Sequence, residues 1–507
     1  MKKRILSAII SAFIALNTYI PALAEPTAET PASTPTASAV PESTDTAPAQ
    51  TPTQETQQPG GNENANPQAT PEIDLSQPAP HAQSAVLADM QSGKILFSKN
   101  ADTRVYPAST TKILTAILVL ENDQLSDVVT ASQEAIAPIT NKHSHMGILV
   151  GEELTVEQLL YGMLVYSAND AANVLAVHTA GSLDAFVGMM NQKAAELGAT
   201  GSHFANPHGF HEADHYTTAM DLFKIAQYAM RIDKFREIVK TDMYTIEPTN
   251  KYKEIRYLSS TNHLISRRRY ANYYYDKAIG IKTGYTDEAG SCLVSAAVNG
   301  DTELISVVMN CANTTTVANG AYSFVDSKGL LEYGFENFKH IDIASAGDIV
   351  SDSSVYEAKD GVRVALTVDN NVNYILPVDY NKDEIETVIS YNDKKISAPI
   401  AKGDVLGEVN YKYRGESIGT AKLVATNSVD KDYIIAAIHL IIKIVLNPVF
   451  LIVLAAFIIL RIRAKRIQAR RRRSRRSRNE NPSSSRQTIP MMNFMSGCAR
   501  KLMQRRI

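Results

Sequence analysis

The stretch that decides how this chain is read is Pro107-Ala108-Ser109-Thr110-Thr111-Lys112, followed by the apolar run from Ile113 to Leu120. A turn feeding a helix is expected here, with Ser109 near the helix start and Lys112 one turn on. At that spacing two side chains share a face and can hydrogen-bond. A serine hydroxyl is a poor nucleophile until a base takes its proton. A lysine serves as that base only when burial or a second cation lowers its pKa. The helix N-terminus adds partial positive charge beside the developing alkoxide.

Around this pair lie 507 residues, room for more than one core, with an ordinary 44% hydrophobic and 21% charged content. The net charge of −2 conceals an asymmetry. Residues 461–507 carry 16 Lys/Arg against the single Glu480, and residues 25–460 hold 32 bases against 52 acids. An acidic body with a basic tail argues against nucleic acid as a partner. Residues 1–24 have the form of a secretory signal: Lys2-Lys3-Arg4, the apolar Ile5 to Leu16, and Ala22-Leu23-Ala24. Residues 25–80, rich in Pro, Thr, Ala, Ser and Gln, bury too little apolar surface to offset chain entropy and read as a disordered spacer.

Order is expected from about Ala82. Ser84 to Asp89 and Lys94 to Ser98 read as a hairpin around Gln91-Ser92-Gly93. Thr155-Val156-Glu157-Gln158 is a capping box opening a helix toward Tyr166. Further helices are predicted at 170–180, 182–198, 218–231 and near 316–334, with strands at 276–283, 291–299 and 303–311. Strands at both ends of a helical middle predict one α/β unit over 81–340 whose sheet pairs early and late segments. Of three cysteines, Cys498 lies in the tail. Cys292 and Cys311 flank a hairpin turning at Asn299-Gly300-Asp301, and either a bridge or two buried thiols fits them, the latter better.

Residues 341–428 are rich in Val, Ile, Thr and Tyr with regular turn punctuation and predict a small all-β module without chemistry of its own. Residues 433–460 are strongly apolar and predict a transmembrane helix, Lys443 snorkelling to the interface. A helix lying on the membrane surface is the alternative. The eleven basic residues between Arg461 and Arg478 hold the tail, 461–507, in the cytoplasm by the positive-inside rule.

Three short motifs carry the chemistry: Ser109-x-x-Lys112, Ser167-Ala168-Asn169 where a helix breaks, and Lys282-Thr283-Gly284 at the end of a strand. Singly they are weak. Ser428-Val429-Asp430-Lys431 also matches the first, and Ser260-Thr261-Asn262 and Ser390-Tyr391-Asn392 also match the second. As an ordered set they resemble the active-site serine D-alanyl-D-alanine carboxypeptidases, the low-molecular-mass penicillin-binding proteins. Asn191 to Gly198, Phe204-Ala205-Asn206-Pro207-His208-Gly209, His215 to Ala219, Thr261-Asn262-His263-Leu264 and Gly280 to Thr286 extend the resemblance over roughly residues 80–340.

The resemblance implies an α+β, β-lactamase/transpeptidase-like domain with an antiparallel sheet and a helical subdomain, then the small β module and the membrane helix. It implies hydrolysis of the terminal D-Ala-D-Ala bond of peptidoglycan stem peptides through an acyl-enzyme on Ser109. Lys112 would take the serine proton, Ser167 would relay a proton to the leaving amine, and Asn169 would hold Lys112 and the substrate amide. Lys282 and Thr283 would bind the substrate carboxylate, and Gly284 would allow close approach. Tyr285 would give a backbone N–H to the oxyanion, together with that of Ser109. β-Lactam antibiotics would acylate Ser109, and neither metal nor cofactor is called for. Ala168 stands where Gly or Asp is more usual, and His263 where a base such as Arg is frequent. These departures bear on substrate preference. The alternatives are a β-lactamase, a non-catalytic penicillin sensor and a wall-binding protein. His203, His208, His211 and His215 are close in sequence, but without accompanying ligands they read as loop and folding residues rather than a metal site.

Overall fold

The computed structural model describes residues 76–140, 144–268, 271–311 and 321–479. The chain divides into Met1–Thr70 and Pro71–Ile507, and every described residue falls in the second unit. The secretory signal, most of the spacer and Cys498 lie outside the described residues.

The elements in chain order begin with β1 (Ala82–Asp89), β2 (Ile95–Lys99), a 3₁₀ turn (Ala108–Thr111), α1 (Lys112–Asn122), β3 (Val128–Thr130), α2 (Gln133–Ile136), β4 (Glu153–Thr155), α3 (Val156–Leu164), α4 (Asn169–Ala180) and α5 (Leu183–Glu196). Next come α6 (Ala219–Ala229), α7 (Asp233–Val239), β5 (Met243–Ile246), β6 (Arg256–Ser259), β7 (Ala278–Thr286), β8 (Gly290–Asn299), β9 (Thr302–Cys311) and α8 (Ala321–Asn337). Early and late strands form one antiparallel sheet in the order β2-β1-β9-β8-β7, so β7 is an edge strand.

Alternation along these strands sorts side chains to two faces. Val86, Val294, Ala296, Ile305 and Val307 join α1, α3, α4 and α6 in the larger core. Leu87, Leu293, Ala297, Leu304 and Val308 pack with Leu330 and Leu331 of α8. Helices cover both faces, which is why the strands read as near-continuous apolar runs. Helix α1 is buried from Lys112 through Val119, a core helix apolar nearly all round. The Thr155–Gln158 capping box is present, each side chain satisfying the other's backbone N–H.

Cys292 belongs to the larger core and Cys311 to the cluster beneath α8; both are free, and burial pushes both thiols up. Asn310, at φ +47°, turns the strand just before Cys311 and so breaks the alternation.

Helix α8 runs directly into β10 (Phe338–Ala344), which pairs with β13 (Val372–Pro377). The rest of the β module is β11 (Ile349–Ser354), β12 (Arg363–Val368), β14 (Ile385–Tyr391), β15 (Val405–Tyr413) and β16 (Glu416–Ala425), in the order β11-β12-β16-β15-β14. His340 of β10 bonds Asp89 of β1 at 2.9 Å, and Lys94 pairs with Glu416. Burial alone would raise the Asp89 carboxyl, but hydrogen bonds from His340 and Ser92 hold it below its usual range.

Residues 433–460, expected as one spanning helix, are divided into α9 (Tyr433–Val445) and α10 (Pro448–Asn479), bent by 62°. Pro448 has no N–H to continue the first helix, and the Asn447 side chain restarts the second by accepting from the N–H groups of Val449 and Phe450. Among the described residues no single helix is long and apolar enough to cross a membrane; this bent pair passes that test together.

Candidate active site

Ser109 lies in the 3₁₀ turn ahead of α1, and Lys112 opens the α-helix itself. The turn is tighter than the expected α start and places the lysine Nζ 2.8 Å from Ser109 Oγ. Two further acceptors fix that amine: Asn169 Oδ1 at 2.6 Å and the carbonyl of His208 at 2.8 Å. Lys112 is fully buried. Burial, and then the charge of Lys282, holds its amine well below the usual lysine value, against an opposing pull from Asp170.

Ser167 occupies the break between α3 and α4 at φ +68°, a left-handed conformation sparsely populated by residues with a side chain. Its Oγ accepts from Lys282 Nζ at 2.9 Å, and Lys282 also donates to the Thr283 carbonyl at 2.9 Å. Burial pushes Lys282 down to about 7. The Lys282-Thr283-Gly284 motif sits inside β7 rather than at its end: Gly284 and Tyr285 still pair with Cys292 and Ser291, and the turn comes only after Thr286. A Cβ on Gly284 would lie 3.1 Å from the Ser109 amide nitrogen and 3.0 Å from the Pro107 carbonyl, so the missing side chain lets β7 press against the serine turn.

The three sequence-predicted segments thus meet around one cavity of about 320 Å³ lined by Ser109, Ser167, Thr283, Gly284 and Tyr285. Lys112, Asn169 and Lys282 stand behind the two serines. A larger concavity of about 590 Å³ lies on the β module around Tyr391 and Lys395, away from these residues. The three further motif matches part company, and Ser390-Tyr391-Asn392 lies at the end of β14 of the β module, where Tyr391 lines the larger concavity. Lys431 pairs with Glu357 on the β module, far from this chemistry. Thr261, from the second Ser-x-Asn match, lines the cavity with its hydroxyl 2.6 Å from that of Thr283. Ser144, Cys292, Ser323 and Phe324 are lining residues that the sequence reading missed. They come from segments with no motif of their own, so no local signal marked them. His263 stacks on Phe324 at 4.8 Å, and Tyr273 lies beside both.

The loop carrying Ser144 is held from two sides. Asp170, in the first turn of α4, accepts from the N–H of Ala171 and also from those of Met146 and Ile148. Arg256 of β6 donates to the Met146 and Gly147 carbonyls and makes a buried two-point pair with Glu152. Burial alone would raise the Glu152 carboxyl, but Arg256 and the Leu149 N–H hold it below its usual range.

His215 has a structural role. The Ala205 N–H donates to His215 Nδ1, which leaves the ring proton on Nε2, 2.9 Å from Thr111 Oγ1. Thr111 in turn donates to the Ala108 carbonyl and braces the serine turn. Burial pushes His215 down to about 3, so the ring is neutral. Among the described residues no group of three potential metal ligands stands together.

Gly209, at φ +87°, closes the strap whose His208 carbonyl holds Lys112; a Cβ there would lie 1.8 Å from the Ala108 carbonyl oxygen. Gly209→Ala is therefore expected to displace the strap, cost about 1–3 kcal/mol in backbone strain alone, and slow penicillin acylation at least about tenfold. Urea unfolding and the rate of fluorescent penicillin attachment check both effects; wild-type values for both would refute the bracing role.

Residues 72–313 match the family described as D-alanyl-D-alanine carboxypeptidase, and residues 338–431 match the C-terminal domain of penicillin-binding protein 5. Over 362 residues the chain is 31% identical to the D-alanyl-D-alanine carboxypeptidase DacF of Bacillus subtilis, across 70% of this chain and 88% of that protein. The chain belongs to the D-alanyl-D-alanine carboxypeptidase family. It is 32% identical to another member, DacA of Haemophilus influenzae, across 69% of this chain and 85% of that one. The solved penicillin-binding protein 5 of the same organism superposes with a TM-score of 0.55 at 31% identity, covering 69% of this chain and 98% of its own. The mixed α/β transpeptidase-like fold with a C-terminal all-β domain is therefore that of the carboxypeptidase family.

Proposed function

We propose that this chain is a serine D-Ala-D-Ala carboxypeptidase that removes the terminal D-alanine from peptidoglycan stem peptides. The observation that carries the reading is the pair of serine–lysine contacts, Ser109–Lys112 and Ser167–Lys282, converging on one cavity with both lysines buried and lowered in pKa. In this mechanism the neutral Lys112 amine takes the Ser109 proton as Oγ attacks the carbonyl between the two D-alanines. The backbone N–H groups of Ser109 and Tyr285 hold the oxyanion. Ser167, hydrogen-bonded to Lys282, relays to the leaving amine the proton that Lys112 took from Ser109, which returns Lys112 to its neutral form for deacylation. Thr283 and the Lys282 charge receive the substrate carboxylate, while Asn169 orients Lys112 and the substrate amide. Water then hydrolyses the acyl-enzyme. A β-lactam enters the same path and is released slowly.

Membership of the D-alanyl-D-alanine carboxypeptidase family and the intact motif set support this reading over a β-lactamase, a sensor or a wall-binding protein. Export by residues 1–24, a spacer over 25–80, a catalytic domain over 81–340 and a β module over 341–428 complete the proposed organisation. The bent pair α9–α10 would anchor the body outside the membrane, with the basic tail inside. Each apolar segment, Tyr433–Val445 and 448–460, is about 20 Å long, short of a bilayer core of about 30 Å, so the anchor requires both.

The test incubates the purified protein with a peptide ending in D-Ala-D-Ala and, separately, with a fluorescent penicillin. Release of D-alanine and a long-lived adduct on Ser109 are expected. Fast lactam turnover without D-alanine release would make it a β-lactamase, adduct without release a sensor, and neither a wall-binding protein.

A further inference from the structure

Two buried titratable groups outside the peptidase cavity face each other where the catalytic domain meets the β module. Asp89 ends β1, at the turn into β2, and His340 stands on β10, just beyond α8. Their side chains are 0% and 6% exposed, and His340 Nε2 lies 2.9 Å from Asp89 Oδ1. The other Asp89 oxygen accepts from the Ser92 N–H at 2.7 Å and from the Ser92 hydroxyl at 2.6 Å, so the carboxylate is anchored to its own turn.

The second ring nitrogen decides which form of the histidine fits. His340 Nδ1 faces Asn373 Oδ1 of β13, an oxygen with no hydrogen to give. The Asn373 amide is held in that orientation, because its Nδ2 donates to Asp342 Oδ1 at 2.8 Å. Turning the amide over would set its oxygen against the Asp342 carboxylate. Both ring nitrogens therefore face acceptors, and only the doubly protonated ring satisfies both. The neutral ring leaves a nitrogen lone pair against an oxygen, in a site nearly closed to solvent. The hydrogen bond to Asp89 raises His340 above its usual value, against the effect of burial; Asn373 and the charge of Asp301, in the turn between β8 and β9, act in the same direction. Lys94, paired with Glu416, and Tyr374 line a cleft of about 210 Å³ at the same joint. Burial pushes the Tyr374 hydroxyl up to about 12, which keeps it neutral across the range in which a histidine titrates.

We propose that the chain Asp89–His340–Asn373 is a proton-operated latch between the catalytic domain and the β module, engaged while the His340 ring carries two protons and released when it loses one. Phe338 and Ile375 of the module pack with Leu87 and Leu304 of the catalytic sheet, so the apolar part of the joint persists while the polar restraint comes and goes. The sign follows from the two shifts. His340 is raised, so its contribution is present in full below the ordinary histidine value and is lost as pH rises through the raised one. Asp89 is lowered, so its contribution is lost only as pH falls through a value below the usual carboxylate range. The latch goes beyond the peptidase reading and does not depend on it, since neither residue lines the cavity around Ser109.

The test follows hydrogen exchange of the full chain by mass spectrometry from about pH 6 to about pH 9, corrected for the intrinsic rate. Amides of β10 and β13 should exchange about tenfold or more faster at the upper end, the scale of a broken buried pair. His340→Gln should exchange fast throughout, with no step. Asn373→Asp, at an exposed position, sets a carboxylate against Nδ1 and should move the step to higher pH. Penicillin attachment to the same samples reports folding, and Asn373→Asp decides if His340→Gln does not fold. A wild-type protein without the step, a step that persists in His340→Gln, or a step that Asn373→Asp leaves where it was would overturn the proposal. D-alanine release from a soluble peptide is measured alongside. Its absence in the wild type would sink the peptidase reading and leave the latch standing, and a missing step with normal release would do the reverse.

Discussion

Replacing Lys112 by Arg is expected to lower the rate of Ser109 acylation by about 10²–10⁴-fold, the range of a lost general base. Lysine is suited to this position because its amine can be emptied of charge. It is fully buried, faces the Lys282 charge, and is already met by Asn169 and the His208 carbonyl, so it hands its lone pair to the 2.8 Å contact with Ser109. A guanidinium stays protonated in any protein setting and cannot accept the serine proton. Lys112→Met, which removes the base without adding volume, is expected to fall by a similar factor. Stopped-flow attachment of fluorescent penicillin and D-alanine release measure both. A Met variant acylating at the wild-type rate would show that another group takes the proton.

The second large effect concerns Lys282. With its pKa pushed down to about 7 by burial, it is charged below that pH and increasingly neutral above it. If its charge draws in the substrate carboxylate, kcat/KM should decline above about pH 7 by about tenfold per pH unit, a single-proton limb belonging to the free enzyme. The bound carboxylate favours the charged lysine, so the corresponding limb in kcat should lie at higher pH. Stability should move the opposite way. Between about 7 and the usual lysine value the unfolded chain binds the proton that the folded chain has released, so the Lys282 contribution rises with pH across that window. Lys282→Gln should lower kcat/KM and flatten the alkaline limb. A limb of unchanged midpoint in that variant would assign the titration elsewhere.

Much of this arrangement was legible from residue order, because its elements are locally encoded. The hairpin at Gln91-Ser92-Gly93, the capping box at Thr155 and the strands ending in Cys311 each carry their own period or turn signal. The short pairs β3–β4 and β5–β6 and helix α7 escaped notice, since stretches of three to seven residues carry too little pattern to stand out. Ser109, Lys112, Ser167, Asn169 and Lys282 were visible as motifs. The groups that tune them were not: the His208 carbonyl on Lys112, Thr261 against Thr283, and His215 bracing the serine turn through Thr111. A backbone carbonyl has no residue signature, and contacts spanning dozens of positions arise only when tertiary structure closes. The break at Asn447-Pro448 was readable in principle, but it was absorbed into an apolar run judged by length alone.

Among the described residues β7 has a partner strand on one flank only, so its other flank offers main-chain groups for ladder formation. An extended oligomer laid along that flank would be gripped through its amides, a mode of recognition largely indifferent to what its side chains are. Discrimination would then fall on the chain terminus, where Lys282 and Thr283 wait, so tolerance along the length and strictness at the tip would share one origin.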